Sequence, residues 1–154
     1  MKEVKKRKRR LKVLTILLSI VFVIALVGIG GIMWDAPARA ELKNMVITEV
    51  NLENLNDGVY MGEYRGTKNS LRDVVVEVTV ESGTVTKITV TKGAYAGDKG
   101  NDEITEGISI FDLFRKVIDT KSLHVDAISG ATLTTNAHLK AVESALLKAR
   151  RIKD

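Results

Sequence analysis

Cysteine is absent from the 154 residues of this chain. Disulfide bonds, thiolate-ligated iron–sulfur clusters, cysteine-attached haem and a cysteine-linked lipid anchor are therefore excluded. Histidine is also scarce, because His124 and His138 are the only two, and they lie far apart without carboxylate or cysteine partners at metal-ligand spacing. We expect structural or solvated roles for both and assign no metal ligands. A redox role would need a cofactor of another kind.

Glycine-rich phosphate signatures and a basic domain surface are missing as well. The segment 97–100 matches neither a P-loop nor a dinucleotide fingerprint. The net charge is +5, but residues 1–12 hold eight basic residues and one acidic residue, so the other 142 residues together carry −2. The high isoelectric point thus belongs to a tail, and no nucleic-acid partner is expected.

Long apolar runs are limited to one, Val13 to Met33, which contains no charged residue. At about 1.5 Å per residue this run can cross a hydrocarbon core of about 30 Å. Trp34 suits the membrane interface, and the basic tail should stay in the cytoplasm, so the rest of the chain would lie outside it. A buried core helix is disfavoured by the eight adjacent cations.

A cleavable signal peptide is the rival interpretation, because Ala38-Arg39-Ala40 has the small residues of a cleavage site. Signal peptides usually have an apolar region of about 7 to 15 residues, which is shorter than this one. We favour an uncleaved anchor. Both interpretations export residues 41–154.

The remaining patterns predict an α+β fold, in which a small antiparallel curved sheet carries two helices and follows one N-terminal transmembrane helix. Valines alternate over 74–80, and a second strand over 85–91 should place Val85 and Lys87 opposite Ile88 and Val90. Ser109 and Asp112 form a capping box for a helix that ends near residue 120, and a second helix should span about 135–151. The predicted segments are a cytoplasmic basic tail (1–12), an anchor (13–34), a juxtamembrane linker (35–56) and one domain (57–154).

The string Asp126-Ala127-Ile128-Ser129-Gly130-Ala131-Thr132 stands between an apolar segment and the second helix. Its glycine permits positive φ, and its alanine keeps the neighbouring side chain small. The last hydroxyl would project just ahead of a helix that begins near residue 134, where unpaired N–H groups and the helix dipole favour a phosphate. A glycine turn capped by serine or threonine explains the same residues without any ligand.

This D-x-x-S-G-A-T string resembles the flavin-attachment motif of the FMN-binding domain family, with further general likeness over 57–149. The resemblance implies covalent FMN on Thr132 through a phosphoester bond, attached by a separate flavin transferase that uses FAD. It also implies that Asp126 helps the transferase place a metal ion and the hydroxyl. The cofactor-binding residues expected from the motif and the residues after it are Asp126, Ser129, Gly130, Ala131, Thr132, Leu133 and Thr134.

The sequence therefore predicts a membrane-anchored, extracytoplasmic flavoprotein that carries electrons between unidentified donor and acceptor proteins. An electron carrier or a redox-complex subunit is favoured over a stand-alone enzyme, and we assign no catalytic residue. The alternative is a non-redox module of the same fold, which binds a ligand or a partner at the membrane. A hydrolase that uses Ser129 or Thr132 ranks last, because no base and orienting partner stand at recognisable positions.

Overall fold

The computed structural model describes residues 2–105 and 107–151, with side chains from Lys12 onward. It divides after Pro37 into two compact units. Helix α1 (Lys2–Lys43) crosses this division. Its residues up to Pro37 belong to the first unit, and its residues from Ala38 belong to the second. Each unit is described by itself below.

Helix α1 contains the segment Lys12–Lys43, which by length and composition can span a membrane. Its most apolar window has a mean hydropathy of 2.9, and none of that window is buried. A core helix of a globular protein would be mostly buried, so the exposed apolar surface of α1 suits a lipid environment better than an aqueous one.

The second unit is built on a three-stranded antiparallel sheet. Strands β1 (Gly58–Tyr64), β2 (Val74–Glu81) and β3 (Thr84–Lys92) lie in that order. Ser82 and Gly83 join β2 to β3, and both have positive φ, as the two-residue turn of a tight hairpin requires. The alternating valines of β2 are buried on one face, as the sequence predicted.

The facing of β3 differs from the prediction. Val85, expected on the face opposite Ile88 and Val90, is buried together with them. The register shifts between Thr79 and Val80, so Thr86 is an extra residue on β3. This bulge returns Val85 to the core side, and alternation in the sequence cannot reveal it.

The remaining elements follow β3. A short 3₁₀ turn spans Gly97–Asn101, and a second sheet pairs β4 (Glu103–Thr105) with β5 (Ile108–Ser109). Helix α2 covers Ile110–Thr120, as the capping box predicted, and helix α3 covers Thr132–Ala149. The α+β fold class predicted from the sequence is confirmed.

Helix α3 packs on β1 and β2 and forms the centre of the core. Ala141, Val142, Ala145 and Leu146 are fully buried there. Gly62 of β1 faces this helix, and a Cβ at that position would collide with the Ala141 carbonyl oxygen. The sheet and α3 can therefore approach closely only because position 62 lacks a side chain.

Residues 38–56 also contribute to this core, which the interpretation of 35–56 as a spacer did not anticipate. Leu42, Val50, Leu52 and Leu55 are all buried. The Glu41 carboxylate accepts hydrogen bonds from the Tyr64 hydroxyl at 3.2 Å and from the Thr67 hydroxyl at 2.7 Å. These contacts attach the end of α1 to the sheet of the second unit.

Candidate functional site

The motif predicted from the sequence folds as a turn that leads into α3. The Ala131 N–H donates to the Ile128 carbonyl at 2.9 Å, and Gly130 has a φ of +78°. A type II turn needs positive φ at its third residue, where glycine avoids the steric cost of a side chain. A Cβ at position 130 would lie 3.7 Å from the nearest atom, Thr105 Oγ1, so there is room for one. Glycine is needed here for its conformation.

Thr135 holds the turn from inside. Its side chain is completely buried, and its Oγ1 accepts a hydrogen bond from the Ile128 N–H at 3.3 Å. Its own N–H donates to the Ala131 carbonyl at 2.9 Å, which is the first hydrogen bond of the helix. Thr135 therefore fixes the angle between the turn and α3.

Helix α3 begins at Thr132, which corrects the predicted start near Thr134. The N-cap residue is Ala131, which has no side-chain oxygen, and no side chain that the structure describes, from Lys12 onward, caps this helix. The N-cap position thus lacks the serine, threonine, aspartate or asparagine that usually marks a helix start. Thr134 and Thr135, which have such side chains, lie inside the helix, and they led to the late prediction. Thr132 itself lies in the first turn, where backbone N–H groups lack intrahelical partners and the dipole is positive.

Thr132 is exposed and borders a shallow cavity of about 350 Å³. The cavity is lined by Lys43, Gly130, Ala131, Thr132, Leu133 and Thr134. Lys43 is the last residue of α1, and the neighbouring Leu42 carbonyl accepts a hydrogen bond from Asn136 Nδ2 of α3 at 2.8 Å. This bond holds the end of α1 beside α3, and with it a cation at the Thr132 site.

Five of the seven predicted site residues thus line one cavity, and the other two lie outside its lining. Ser129 is exposed in the turn. The Asp126 side chain is 99% exposed, and one of its carboxylate oxygens lies 3.5 Å from Lys116 Nζ. Ser129 and Asp126 are therefore accessible from solvent, while the cavity wall is made by residues 130–134 and Lys43.

Comparison with known proteins identifies the family of this chain. The FMN-binding domain profile matches residues 71–147, half of the chain. The chain belongs to the FMN-binding domain family. No curated protein and no solved structure matches it significantly. The match runs from just before β2 into the last turn of α3, so it contains the Thr132 turn but neither β1 nor Lys43.

The residues at the N-terminus of α3 fit the phosphate end of FMN. An uncapped helix start offers backbone N–H groups to an anion, and Lys43 supplies a positive charge in the same cavity. Gly130 and Ala131 leave the approach to the Thr132 hydroxyl free of bulky side chains. The protein is thus an FMN-binding-domain protein with a helix long and apolar enough to anchor it in a membrane.

A second polar feature lies six residues further along α3, at His138. This side chain is 2% exposed, although most of its helix neighbours toward the core are apolar. Its ring lies 6.2 Å from the rings of both Tyr95 and Phe114, measured between centroids. Burial lowers the pKa of His138, and hydrogen bonding with the backbone of Thr134 and Ala94 offsets part of that effect. His124, in contrast, is exposed and pairs with Glu49 at 3.1 Å.

Two residues of this region, Lys43 and Thr105, were not identified from the sequence. Lys43 lies about ninety positions before Thr132, and Thr105 lies on strand β4, away from the motif in sequence, so no local pattern connects either residue to the motif. The burial of His138 could have been read from helix spacing, because positions 131, 135, 138 and 142 fall on one side of α3.

Proposed function

We propose that this protein is a membrane-anchored, extracytoplasmic flavoprotein that carries FMN covalently on Thr132 and transfers electrons. The observation that carries the proposal is the position of Thr132: exposed, in the uncapped first turn of α3, and beside Lys43. Family membership supports FMN as the cofactor. A flavin accepts and releases one or two electrons, while the protein sets its orientation and surroundings.

Attachment would join Thr132 Oγ to the phosphorus of the FMN half of FAD. The pyrophosphate bond breaks, AMP leaves, and the hydroxyl proton passes to a base. A threonine hydroxyl needs such a base or a metal ion to react. Of the two histidines, His138 is buried and His124 is paired with Glu49, so the proposal assigns activation to a separate flavin transferase. The exposed Asp126 is accessible to that enzyme and its metal ion.

The membrane arrangement is part of the same proposal. The basic tail (1–12) stays in the cytoplasm, the anchor (13–34) spans the membrane, and the FMN-binding domain lies outside with its linker. Ala38 and Leu42 are buried, and Ala38-Arg39-Ala40 lies within helix α1. The helical, packed state of this segment in the folded protein supports an uncleaved anchor. The electron donor and acceptor are partner proteins reached from that side of the membrane.

Intact-mass measurement tests the attachment. The full chain is coexpressed with a flavin transferase of this class, and its mass should increase by FMN minus water. Thr132→Ala should abolish the increase, because the tethering oxygen is gone. Thr120→Ala is the matched control, since it also removes an exposed threonine hydroxyl but lies at the end of α2, outside the lining of this cavity, and it should load normally.

Two results would contradict the proposal. One is an unmodified wild-type mass after coexpression, and the other is full loading of Thr132→Ala. The first result, together with the absence of a flavin spectrum, would favour the non-redox alternative, in which the turn of residues 129–132 only starts a helix.

A further inference from the structure

The loop between β1 and β2 concentrates positive charge. The net charge of the chain is +5, and residues 1–37 hold eight basic and two acidic residues, so residues 38–154 together carry −1. Within this slightly acidic unit, the eight residues 65–72, the basic loop, contain Arg65, Lys68 and Arg72 and no acidic residue. A local excess of cations on a domain that is not basic as a whole indicates a surface that attracts anions.

The basic loop is closed by hydrogen bonds of its own residues. The Asp73 carboxylate accepts from the Gly66 N–H at 2.9 Å, and the Asn69 side-chain oxygen accepts from the Leu71 N–H at 3.2 Å. A Cβ at position 66 would collide with the Asn69 carbonyl oxygen, so this turn closes only with glycine there. Leu71 is 60% exposed in the closed loop. An apolar side chain therefore lies at the surface among the cations.

The cations of this region are accessible. Lys68 is exposed, and the Arg65 side chain is 74% exposed although it pairs with Glu63 at 3.0 Å. Lys92, at the end of β3, is also exposed, and it lines a cavity of about 360 Å³ together with Arg65. Asp73 lines this cavity too, but its carboxylate is engaged by the backbone of the loop. Cations from two elements thus border one open cavity.

The basic loop is attached to a residue that lies close in sequence to the membrane anchor. The Glu41 carboxylate accepts hydrogen bonds from the Thr67 hydroxyl at 2.7 Å and from the Thr67 N–H at 3.2 Å. Glu41 follows Trp34, the expected interface residue, by seven positions. Seven residues span at most about 25 Å in any conformation. An anchor in the membrane therefore keeps this loop within reach of the lipid surface.

The composition of the basic loop suits an anionic lipid surface. Lysine and arginine near a membrane are attracted to anionic headgroups, and their long stems let the charged ends reach them. A single exposed leucine is ordinary on a protein surface. An apolar side chain among cations, however, is the pattern of segments that lie in the membrane interface. A soluble anion would explain the cations but would leave Leu71 in water.

We propose that the basic loop docks on an anionic lipid surface, with its three cations at the phosphate headgroups and Leu71 in the interface. This inference rests on the membrane arrangement in the proposed function, but it does not need FMN. Docking would also keep the Thr132 turn near the lipid surface. The reason is that Glu41 contacts the loop, while Lys43, two residues later, lines the Thr132 cavity.

Single-cysteine labelling tests the proposal, and the absence of native cysteine makes each label specific. Leu71→Cys in the full chain, without FMN, carries an apolar, environment-sensitive fluorophore in place of the leucine, at one copy per nanodisc. Emission should be brighter and blue-shifted in nanodiscs of phosphatidylcholine with phosphatidylglycerol, compared with phosphatidylcholine alone. High salt should remove the difference, because it screens the attraction.

Val59→Cys with the same label is the matched control. Val59 is also 60% exposed, but it lies near the start of β1, about 20 Å along the strand from the basic loop. Its emission should be the same in both lipid compositions. A label at Val59 that responds to phosphatidylglycerol as strongly as the label at Leu71 would contradict docking through the loop.

Charge variants measure the electrostatic contribution. Arg65→Gln combined with Lys68→Gln, in the Leu71→Cys background, should remove most of the blue shift caused by phosphatidylglycerol. Lys87→Gln combined with Lys99→Gln is the matched control, because it removes two exposed cations outside the loop and should leave the blue shift unchanged. A full blue shift in the loop variant would overturn the role of the cations, and with it the proposal.

The outcomes separate docking from the proposed function. Equal emission of the Leu71 label in both lipid compositions overturns docking, while FMN attachment, measured by intact mass on a separate sample, is unaffected. A blue shift that appears only when two copies share a nanodisc also overturns docking and assigns the loop to a contact between copies. A chain that does not incorporate into nanodiscs overturns the membrane arrangement and docking together.

Discussion

Helices α2 and α3 begin in opposite ways. At the start of α2, the Ser109 hydroxyl accepts from the Asp112 N–H at 3.2 Å, and the Asp112 carboxylate accepts from the Ser109 N–H at 3.0 Å. At the start of α3 the N-cap is Ala131, and no described side chain caps the helix. The first helix satisfies its own terminal donors, whereas the second leaves them available to a ligand.

This difference indicates what each helix start contributes. Capping by serine and aspartate stabilises a helix and leaves less of its positive end for an external anion. An uncapped start gives up that stability and offers the same groups to a phosphate. We therefore expect changes at the start of α2 to affect stability alone, and changes at the start of α3 to affect FMN loading. Three variants test this separation.

Gly130→Ala should have the largest effect on both properties. The φ of +78° is unfavourable for alanine, so the free energy of unfolding should fall by about 1–2 kcal/mol. FMN loading should slow as well, because the strained turn moves the Thr132 hydroxyl. Thermal unfolding and the time course of mass increase measure the two effects.

Gly97→Ala is the control for this variant. Its φ is +63° and a Cβ there meets no atom within 4 Å, so the conformational cost should be similar. Its loading rate should stay normal, since residue 97 is not part of the Thr132 turn. Wild-type loading by Gly130→Ala would show that the turn does not position the hydroxyl.

Ser109→Ala should have an intermediate effect, limited to stability. Loss of an N-cap side chain costs about 1 kcal/mol, and the Asp112 N–H loses its partner. The loading time course should match that of wild type. Thr120→Ala, at the exposed end of the same helix, removes a hydroxyl that donates to the Lys116 carbonyl and should change stability less. Slower FMN loading of Ser109→Ala at a temperature where it is folded would contradict the expectation that the start of α2 affects stability alone.

The sequence predicted α2 better than α3 for the same physical reason. Ser109 and Asp112 lie within four consecutive positions and together predict the capping box of α2. The structure contains both hydrogen bonds of that box, between the side chain of each residue and the backbone N–H of the other. The start of α3 depends on a turn that is held by the buried Thr135, so no local cap signal marks it. The predicted start was therefore two residues late.

Other parts of the site could not be predicted because they depend on distant segments. Lys43 reaches the Thr132 cavity because Asn136 holds the end of α1 at α3, across 94 positions of sequence. The bulge at Thr86 depends on pairing with β2. Motif chemistry gave Gly130 and Thr132 because their roles, a positive φ and an exposed hydroxyl, are properties of a few consecutive residues.

Asp112→Asn should have the smallest effect, and this effect should depend on pH. Hydrogen bonds from the Ser109 side chain and backbone lower the pKa of the Asp112 carboxyl below its usual value. A pKa that is lower in the folded state stabilises the protein above the unfolded value, about 3.9, and this contribution disappears as the pH falls through the folded pKa. The asparagine variant should therefore be less stable than wild type near pH 7, and the difference should shrink below about pH 4. The exposure of this side chain keeps the effect small, because water screens its interactions.

Unfolding midpoints at pH 7, 5 and 3 measure this prediction. Asp119→Asn is the control, because a carboxylate near the C-terminus of α2 opposes the helix dipole, and its removal should raise stability slightly at neutral pH. A difference between Asp112→Asn and wild type that stays constant down to pH 3 would mean that the charge of Asp112 contributes nothing to the cap. In that case α2 would begin with ordinary neutral hydrogen bonds, and the contrast with the uncapped start of α3 would be one of geometry alone.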